Sequence, residues 1–299
     1  MSAPPRTLQA CGLEIELGPR PWLMGVVNAS PDSFSDGGAY ADLDARVELA
    51  RRLLADGADI IDIGGESATT GRPPVPVERE LELVVPLIEA VAGGLGALVS
   101  VDTYKPQVAA AAVAAGARIV NDVSGLRDPE LAEVCAATGA ALVVMHTRAA
   151  PRERLQDPRL YEDLVGEVLA FLGERVSLAV AAGCRPEQLI VDPGPDFAKT
   201  PSQTVALLRE LPRMHELGLP LLLAISRKDF IGALTGRPPR ERLAGTLAAL
   251  GHGVESGAHI VRLHDIREAG DFLAVRAALA GELEVDPQLA LQDRLRHER

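Results

Sequence analysis

The sequence predicts an α/β fold, a (β/α)8 TIM barrel preceded by an N-terminal hairpin. Three observations lead there. Eight short apolar runs punctuate the chain, helix-forming stretches separate them, and each run carries a polar or charged residue at or near its end. Continuous apolar runs, in place of alternating ones, mark parallel strands covered on both faces.

In chain order, the first element is the segment LQACGLEIELGPR, read as a hairpin turning near Gly12 within residues 1–20 and expected to cover the lower end of the barrel. The eight strands then fall at Leu23–Asn28, Ile60–Gly64, Leu98–Asp102, Arg118–Asp122, Leu142–His146, Leu189–Asp192, Leu221–Ser226 and His259–His264. Helical stretches such as Leu43–Ala55, Val77–Val91 and Leu160–Ala182 lie between them, the first two with apolar residues at three- and four-residue spacing. The phrases ADGADIID, AAGARIVND and ESGAHIVRLHD repeat one joint, in which a helix ends on Gly and a strand begins. A doubly wound open sheet is the rival architecture, but no G-x-G-x-x-G follows the first strand. Residues 284–299 turn polar and read as a frayed helix or disordered tail. No interdomain linker interrupts the pattern, so residues 1–299 are expected to form one domain.

Composition narrows the function. With 47% hydrophobic residues the chain can fill a core, and its net charge of −12 argues against nucleic acid or an anionic membrane as partner. Cys11, Cys135 and Cys184 show no metal or redox spacing and suit a reducing compartment. No apolar run is long enough for a membrane span, and Met1 to Arg6 does not resemble a signal peptide, so a cytoplasmic location is expected.

The strand ends carry the chemistry. They read Asn28, Asp62 with Glu66, Asp102, Asn121 with Asp122, His146, Asp192, Ser226 with Lys228, and Arg262 with His264. In such barrels the C-terminal mouth builds the active site from several strands and their loops. Taken singly, Asp102 and Asp192 suit helix caps, Lys228 and Arg262 suit solvated surface, and His146 and His264 suit satisfied core positions. His252 and His259 are assigned to the core, and Arg148–Arg154 to a solvated loop. Eight polar strand ends in register tip the balance toward a polar site of mixed charge.

These residues resemble the dihydropteroate synthases over about Leu23 to Ala280. MGVVNASPDSFSDGG (Met24–Gly38) and DIIDIGGES (Asp59–Ser67) are similar to the two family signatures, and SVDTYKP, IVNDVSG, VMH, VDPG, SRK and RLHD follow in family order. The resemblance implies a transferase of folate biosynthesis that joins para-aminobenzoate to hydroxymethyl-dihydropterin pyrophosphate. It places Asp102, Asn121, Asp192 and Lys228 around the pterin, with Met145 and Arg262 packed on either side of the ring. It also implies that Asn28 reaches a Mg2+ ion, that Arg262 and His264 hold pyrophosphate, and that Phe197 and Ser226 lie near the aminobenzoate. Catalytic weight would fall on Asp102, Lys228, Arg262 and His264, and relatives imply a homodimer through the last helices.

Three departures qualify the match. Ala68 and Thr69 stand where the family has Thr and Arg, with Arg72 three residues further on. Asp229 replaces a Ser, where it would oppose the aminobenzoate carboxylate unless it faces away. PGPDFAK replaces PGFGFGK, so Pro195 and Asp196 stiffen and acidify that loop. The readings kept open are a working synthase, a divergent pterin-binding paralogue with weak, altered or no synthase activity, and a folate-binding barrel of the corrinoid methyltransferase type. The last needs no Lys228/Arg262/His264 group.

Overall fold

A computed structural model describes residues 6–29, 42–66, 73–292 and 295–296. Strands β1 (Arg6–Ala10) and β2 (Leu13–Leu17) pair antiparallel, turning through Cys11 and Gly12 at φ 49° and 80°. Then come β3 (Trp22–Asn28), α1 (Leu43–Ala55), β4 (Ile60–Gly64), α2 (Val77–Glu89), β5 (Val99–Asp102), α3 (Pro106–Ala114), β6 (Ile119–Asp122) and α4 (Glu130–Thr138). The second half runs β7 (Ala141–Met145), α5 (Leu164–Ala181), β8 (Leu189–Asp192), α6 (Pro201–Arg209), β9 (Leu222–Ala224), α7 (Asp229–Thr235), α8 (Leu243–Glu255), β10 (Ile260–Leu263) and α9 (Ile266–Leu279).

Strands β3 to β10 form one parallel sheet in the order β8-β7-β6-β5-β4-β3-β10-β9. The circle closes between β8 and β9, where Val191 bridges to Leu221 and its N–H donates to Pro220 O at 3.0 Å. Alternation along each strand sends one set of side chains inward and the other toward the helices. The outward set packs with the helices as one large core, including Ile61, Ile63, Val101, Val120, Leu142, Val191 and Leu263. Inward, Met24, Ile60, Ile119, Val143, Ile190, Leu222 and Ile260 form a second cluster with Leu8, Ala10, Ile15 and Leu17 of the hairpin. The hairpin therefore plugs the N-terminal end of the barrel, each buried Leu or Ile contributing about 1.5–3 kcal/mol. Above this apolar floor the inward positions turn polar.

The strands match the expected ones to within two residues at either end, the largest change being β9 at Leu222–Ala224 against the expected Leu221–Ser226, and two helix ends shift. The stretch expected as helix from Leu160 starts only at Leu164, because Asp163 caps the helix by accepting from Gly166 N at 3.1 Å. The helix from Val77 ends at Glu89 and passes into a wider turn over Ala90–Gly94. The recurrent Ala-Gly joint behaves as read, with Gly57 and Gly257 at φ 100° and 83° reversing the chain into β4 and toward β10. Residues 284–292 are exposed and contain no helix longer than a turn.

Candidate active site at the barrel mouth

The parity that puts Ile60, Ile119, Val143, Ile190 and Ile260 on the barrel floor puts Asp62, Asn121, Met145, Asp192 and Arg262 two residues higher, in one layer facing the mouth. Asp102 on β5 joins them. Arg262 spans the layer. Its Nε donates to Asp62 Oδ2 at 2.6 Å and its Nη2 donates to Asp102 Oδ2 at 2.9 Å. Asn121 Nδ2 donates to the same Asp62 oxygen at 3.2 Å. One guanidinium thus fixes two carboxylates contributed by neighbouring strands and orders a third side chain beside them.

Burial sets the charges of this layer. It pushes the Asp102 carboxyl up from the ordinary range, Arg262 pulls it back down, and Asp62 and Glu80 oppose that pull. Asp192 is raised to about 6, mainly by burial, while the Gly194 N–H at 2.7 Å and the Lys228 charge favour its ionised form. Lys228 is lowered by burial, with Asp196 and Asp192 acting against the shift. Its ammonium rests over the Phe197 ring, 4.2 Å from the centroid. Three carboxyls facing two cations suit a ligand rich in N–H donors that also carries an anionic group.

Ser226 and His264 meet at the β9 and β10 ends. Ser226 Oγ accepts from His264 N at 3.1 Å and lies 2.9 Å from His264 Nδ1. The sequence counts His264 with the cations. The structure makes it uncharged near neutral pH, since burial and then Arg227 and Arg262 push its pKa down to about 3. Arg227, at φ 57°, grips Asp265 through Nη2 at 2.6 Å and Nε at 3.1 Å, so the β9 and β10 loops are tied together. Asn28 ends β3, two residues beyond inward-facing Val26. Among the described residues no group of three or more His, Cys, Asp or Glu could hold a metal ion. A Mg2+ ion keeps several waters and binds through few protein ligands plus substrate phosphates, so a single carboxamide fits a metal brought by the substrate.

The family model for pterin binding enzymes matches residues 24–264. The chain belongs to the pterin-binding enzyme family. The dihydropteroate synthase of Bacillus subtilis is 44% identical over 247 residues, 82% of this chain and 84% of its own. Among solved structures, the Xanthomonas albilineans dihydropteroate synthase with 4-aminobenzoic acid is 43% identical, with a TM-score of 0.85 over 93% of this chain and 99% of its own. The Burkholderia cenocepacia dihydropteroate synthase complexed with 7,8-dihydropteroate is 37% identical, with a TM-score of 0.82 over 93% of this chain and 98% of its own.

Against the pterin-binding family, the departures resolve unevenly. Ala68, Thr69 and Arg72 lie outside the described residues. Asp229 is 68% exposed and accepts from Arg242 Nη1 at 3.1 Å, a group that also holds Arg227 O and Lys228 O. Its charge is therefore met by a guanidinium. Asp196, at φ 66°, earns its place differently: Oδ1 accepts from Thr204 Oγ1 at 2.9 Å and Oδ2 from Phe230 N at 3.2 Å, linking the β8 loop to the start of α7.

Other assignments hold or change. His259 is a core group, its Nδ1 accepting from Leu221 N at 3.1 Å, whereas His252, also expected in the core, is exposed, with its Nε2 2.6 Å from Leu208 O. The Arg148–Arg154 stretch is not simply a solvated loop, because Arg148 pairs with Glu167 and Arg152 donates to Pro73 O at 2.6 Å beside Glu66. Asp122 points away from Asn121 and accepts from Ser124 N and Leu126 N, a local turn role set by strand alternation. Asp62 was legible as a strand end but not as the partner of Arg262, which lies 200 residues away. Buried Lys199, in contact with His146, is a second residue of this mouth that no strand-end count would find.

Proposed function

We propose that the chain is a dihydropteroate synthase that condenses hydroxymethyl-dihydropterin pyrophosphate with para-aminobenzoate in folate biosynthesis. The carrying observation is the inward layer of Asp62, Asp102, Asn121, Asp192 and Arg262, found on a chain that is 44% identical to a dihydropteroate synthase. A pterin presents amino and ring N–H donors beside a carbonyl. Asp192 suits the donors, and Asn121 can both donate and accept. Met145, buried at the end of β7, and the Arg262 guanidinium offer one soft and one cationic surface for the two ring faces.

In the reaction the methylene–oxygen bond to pyrophosphate breaks, the arylamine nitrogen bonds to the methylene, and a proton leaves that nitrogen. Positive charge builds on the methylene, where an ionised Asp102 stabilises it. Negative charge builds on the departing oxygens, which Lys228 and Arg262 meet as cations and His264 meets as a neutral hydrogen-bonding group. Mg2+, with Asn28 as its protein ligand, would supply further charge neutralisation on pyrophosphate. Phe197 and Ser226 border the aminobenzoate in this reading. A cytoplasmic homodimer completes it: exposed Val275 and Leu279 on α9 offer apolar surface for a second copy, and among the described residues no helix is long and apolar enough to cross a membrane. The test is pyrophosphate release by purified protein with Mg2+ and the pterin substrate. Release that depends on para-aminobenzoate supports a synthase, whereas pterin binding without such release would instead mark the paralogue with lost activity.

A further inference from the structure

Lys199 is wholly buried in the wall of the mouth, an expensive position for an ammonium. Its Nζ donates to Gly194 O at 2.9 Å and Phe197 O at 3.0 Å and lies 2.8 Å from His146 Nδ1. Three donors therefore meet three acceptors, with His146 accepting through Nδ1 and so neutral. The loop that carries these two carbonyls is strained. Gly194, Asp196 and Ala198 sit at φ 65°, 66° and 51°, a left-handed conformation that costs Asp and Ala where Gly would cost nothing. A Cβ on Gly194 would lie 2.1 Å from His146 O, so the loop is also pressed against the β7 end. This same loop presents two groups to the site: the Gly194 N–H on Asp192 Oδ1 and the Phe197 ring beneath Lys228 Nζ.

We propose that Lys199 is a positioning residue, whose ammonium clamps the strained 194–198 loop on His146 so that Asp192 and Lys228 keep their orientation toward the pterin. The inference rests on the pterin-binding reading above and adds a residue to it. Strain without the clamp would relax by moving Phe197 and releasing the Asp192 carboxylate from its N–H.

The clamp depends on protonation. Burial lowers the Lys199 pKa to about 7; Asp192 and Asp196 oppose the shift and Lys228 adds to it. The other titratable group in contact is His146, whose own pKa is pushed well down by burial, Lys199 and Arg148. As pH rises through about 7, the ammonium becomes an amine, its charge-assisted bonds to the Gly194 and Phe197 carbonyls become weaker neutral ones, and the loop loosens. Asp192 and Asp102 act in the opposite direction, losing charge as pH falls.

Calorimetric titration with 6-hydroxymethylpterin between pH 5.5 and 8.5 tests this, on the unmodified protein and on Lys199→Met and Lys199→Arg. The Met variant should bind about tenfold more weakly at pH 6, the loss expected for one hydrogen bond to a charged group. It should also lose the alkaline fall in affinity while keeping the acid one. The Arg variant, whose charge does not titrate in this range, should lose the alkaline fall yet retain affinity within about threefold. Subtracting profiles removes the ligand's own titration. An unmodified protein with no alkaline fall beyond the ligand's own, or variants whose profiles overlay it, overturns this inference alone, whether or not both variants fold. Absence of pterin binding by the unmodified protein overturns the functional reading as well.

Discussion

Replacing Asp62 by Asn should cost about 3 kcal/mol of unfolding free energy and weaken pterin binding about tenfold. The side chain is wholly buried, and its Oδ2 takes both Arg262 Nε at 2.6 Å and Asn121 Nδ2 at 3.2 Å. A carboxamide can keep its oxygen where both donors meet but loses the charge, so a charge-assisted bond worth roughly 1.5–3 kcal/mol is weakened, and its NH2 falls at the buried Oδ1 position, where no acceptor among the described residues meets it. The loss stays at the lower end of the roughly 3–5 kcal/mol range for a severed buried ion pair, because Arg262 keeps Asp102 at 2.9 Å. Affinity follows because Arg262 and Asn121 both lose the group that aims them, and about 1.4 kcal/mol is a factor of ten. Urea unfolding read at constant slope gives the first number and calorimetry the second. Glu48→Gln is the control, since its pair with Arg51 is exposed on both sides and should shift stability by less than about 0.5 kcal/mol. If Asp62→Asn behaves like that control in both measurements, the inward layer is solvated and does not organise the site.

Asp192→Asn should weaken pterin binding by roughly 1.5–3 kcal/mol in calorimetry. In the unmodified protein the same affinity should fall as pH drops through about 6, where the raised Asp192 carboxyl takes up its proton. Gly194→Ala should cost more than about 2 kcal/mol in urea unfolding, because Ala is strained at φ 65° and its Cβ would meet His146 O. Asp229→Ser should lower the KM for para-aminobenzoate by no more than about fivefold, since at this exposed, Arg242-paired position two like charges 4 Å apart repel by only about 1 kcal/mol in a water-like dielectric; steady-state kinetics at varied para-aminobenzoate gives the value.

The barrel was legible because each strand is apolar on both faces, so runs such as Ile60–Gly64 and Leu189–Asp192 match the observed β4 and β8 end to end. Strand ends carried the site for the same reason, since a polar residue closing an apolar run must sit at the mouth. Contacts between distant strands were not legible: nothing local pairs Asp62 with Arg262 or joins Lys199 to His146, because barrel closure alone brings them together. Charge states were hidden too. His264 reads as a cation by type, and only its burial beside Arg227 and Arg262 makes it neutral. Likewise Asp229 reads as an obstacle until folding brings Arg242 onto it. The Leu160 helix start failed on a subtler competition, in which the Asp163 cap prevailed over apolar periodicity.

The account turns most directly on one measurement: pyrophosphate released by the purified protein from hydroxymethyl-dihydropterin pyrophosphate with Mg2+, with and without para-aminobenzoate, alongside the Asp102→Asn and Lys228→Ala variants. The account predicts release that requires para-aminobenzoate, is matched by an equal amount of dihydropteroate, and falls by at least about a hundredfold in each variant, the scale for removing one transition-state charge partner. Release indifferent to para-aminobenzoate, or undiminished in both variants, would contradict it.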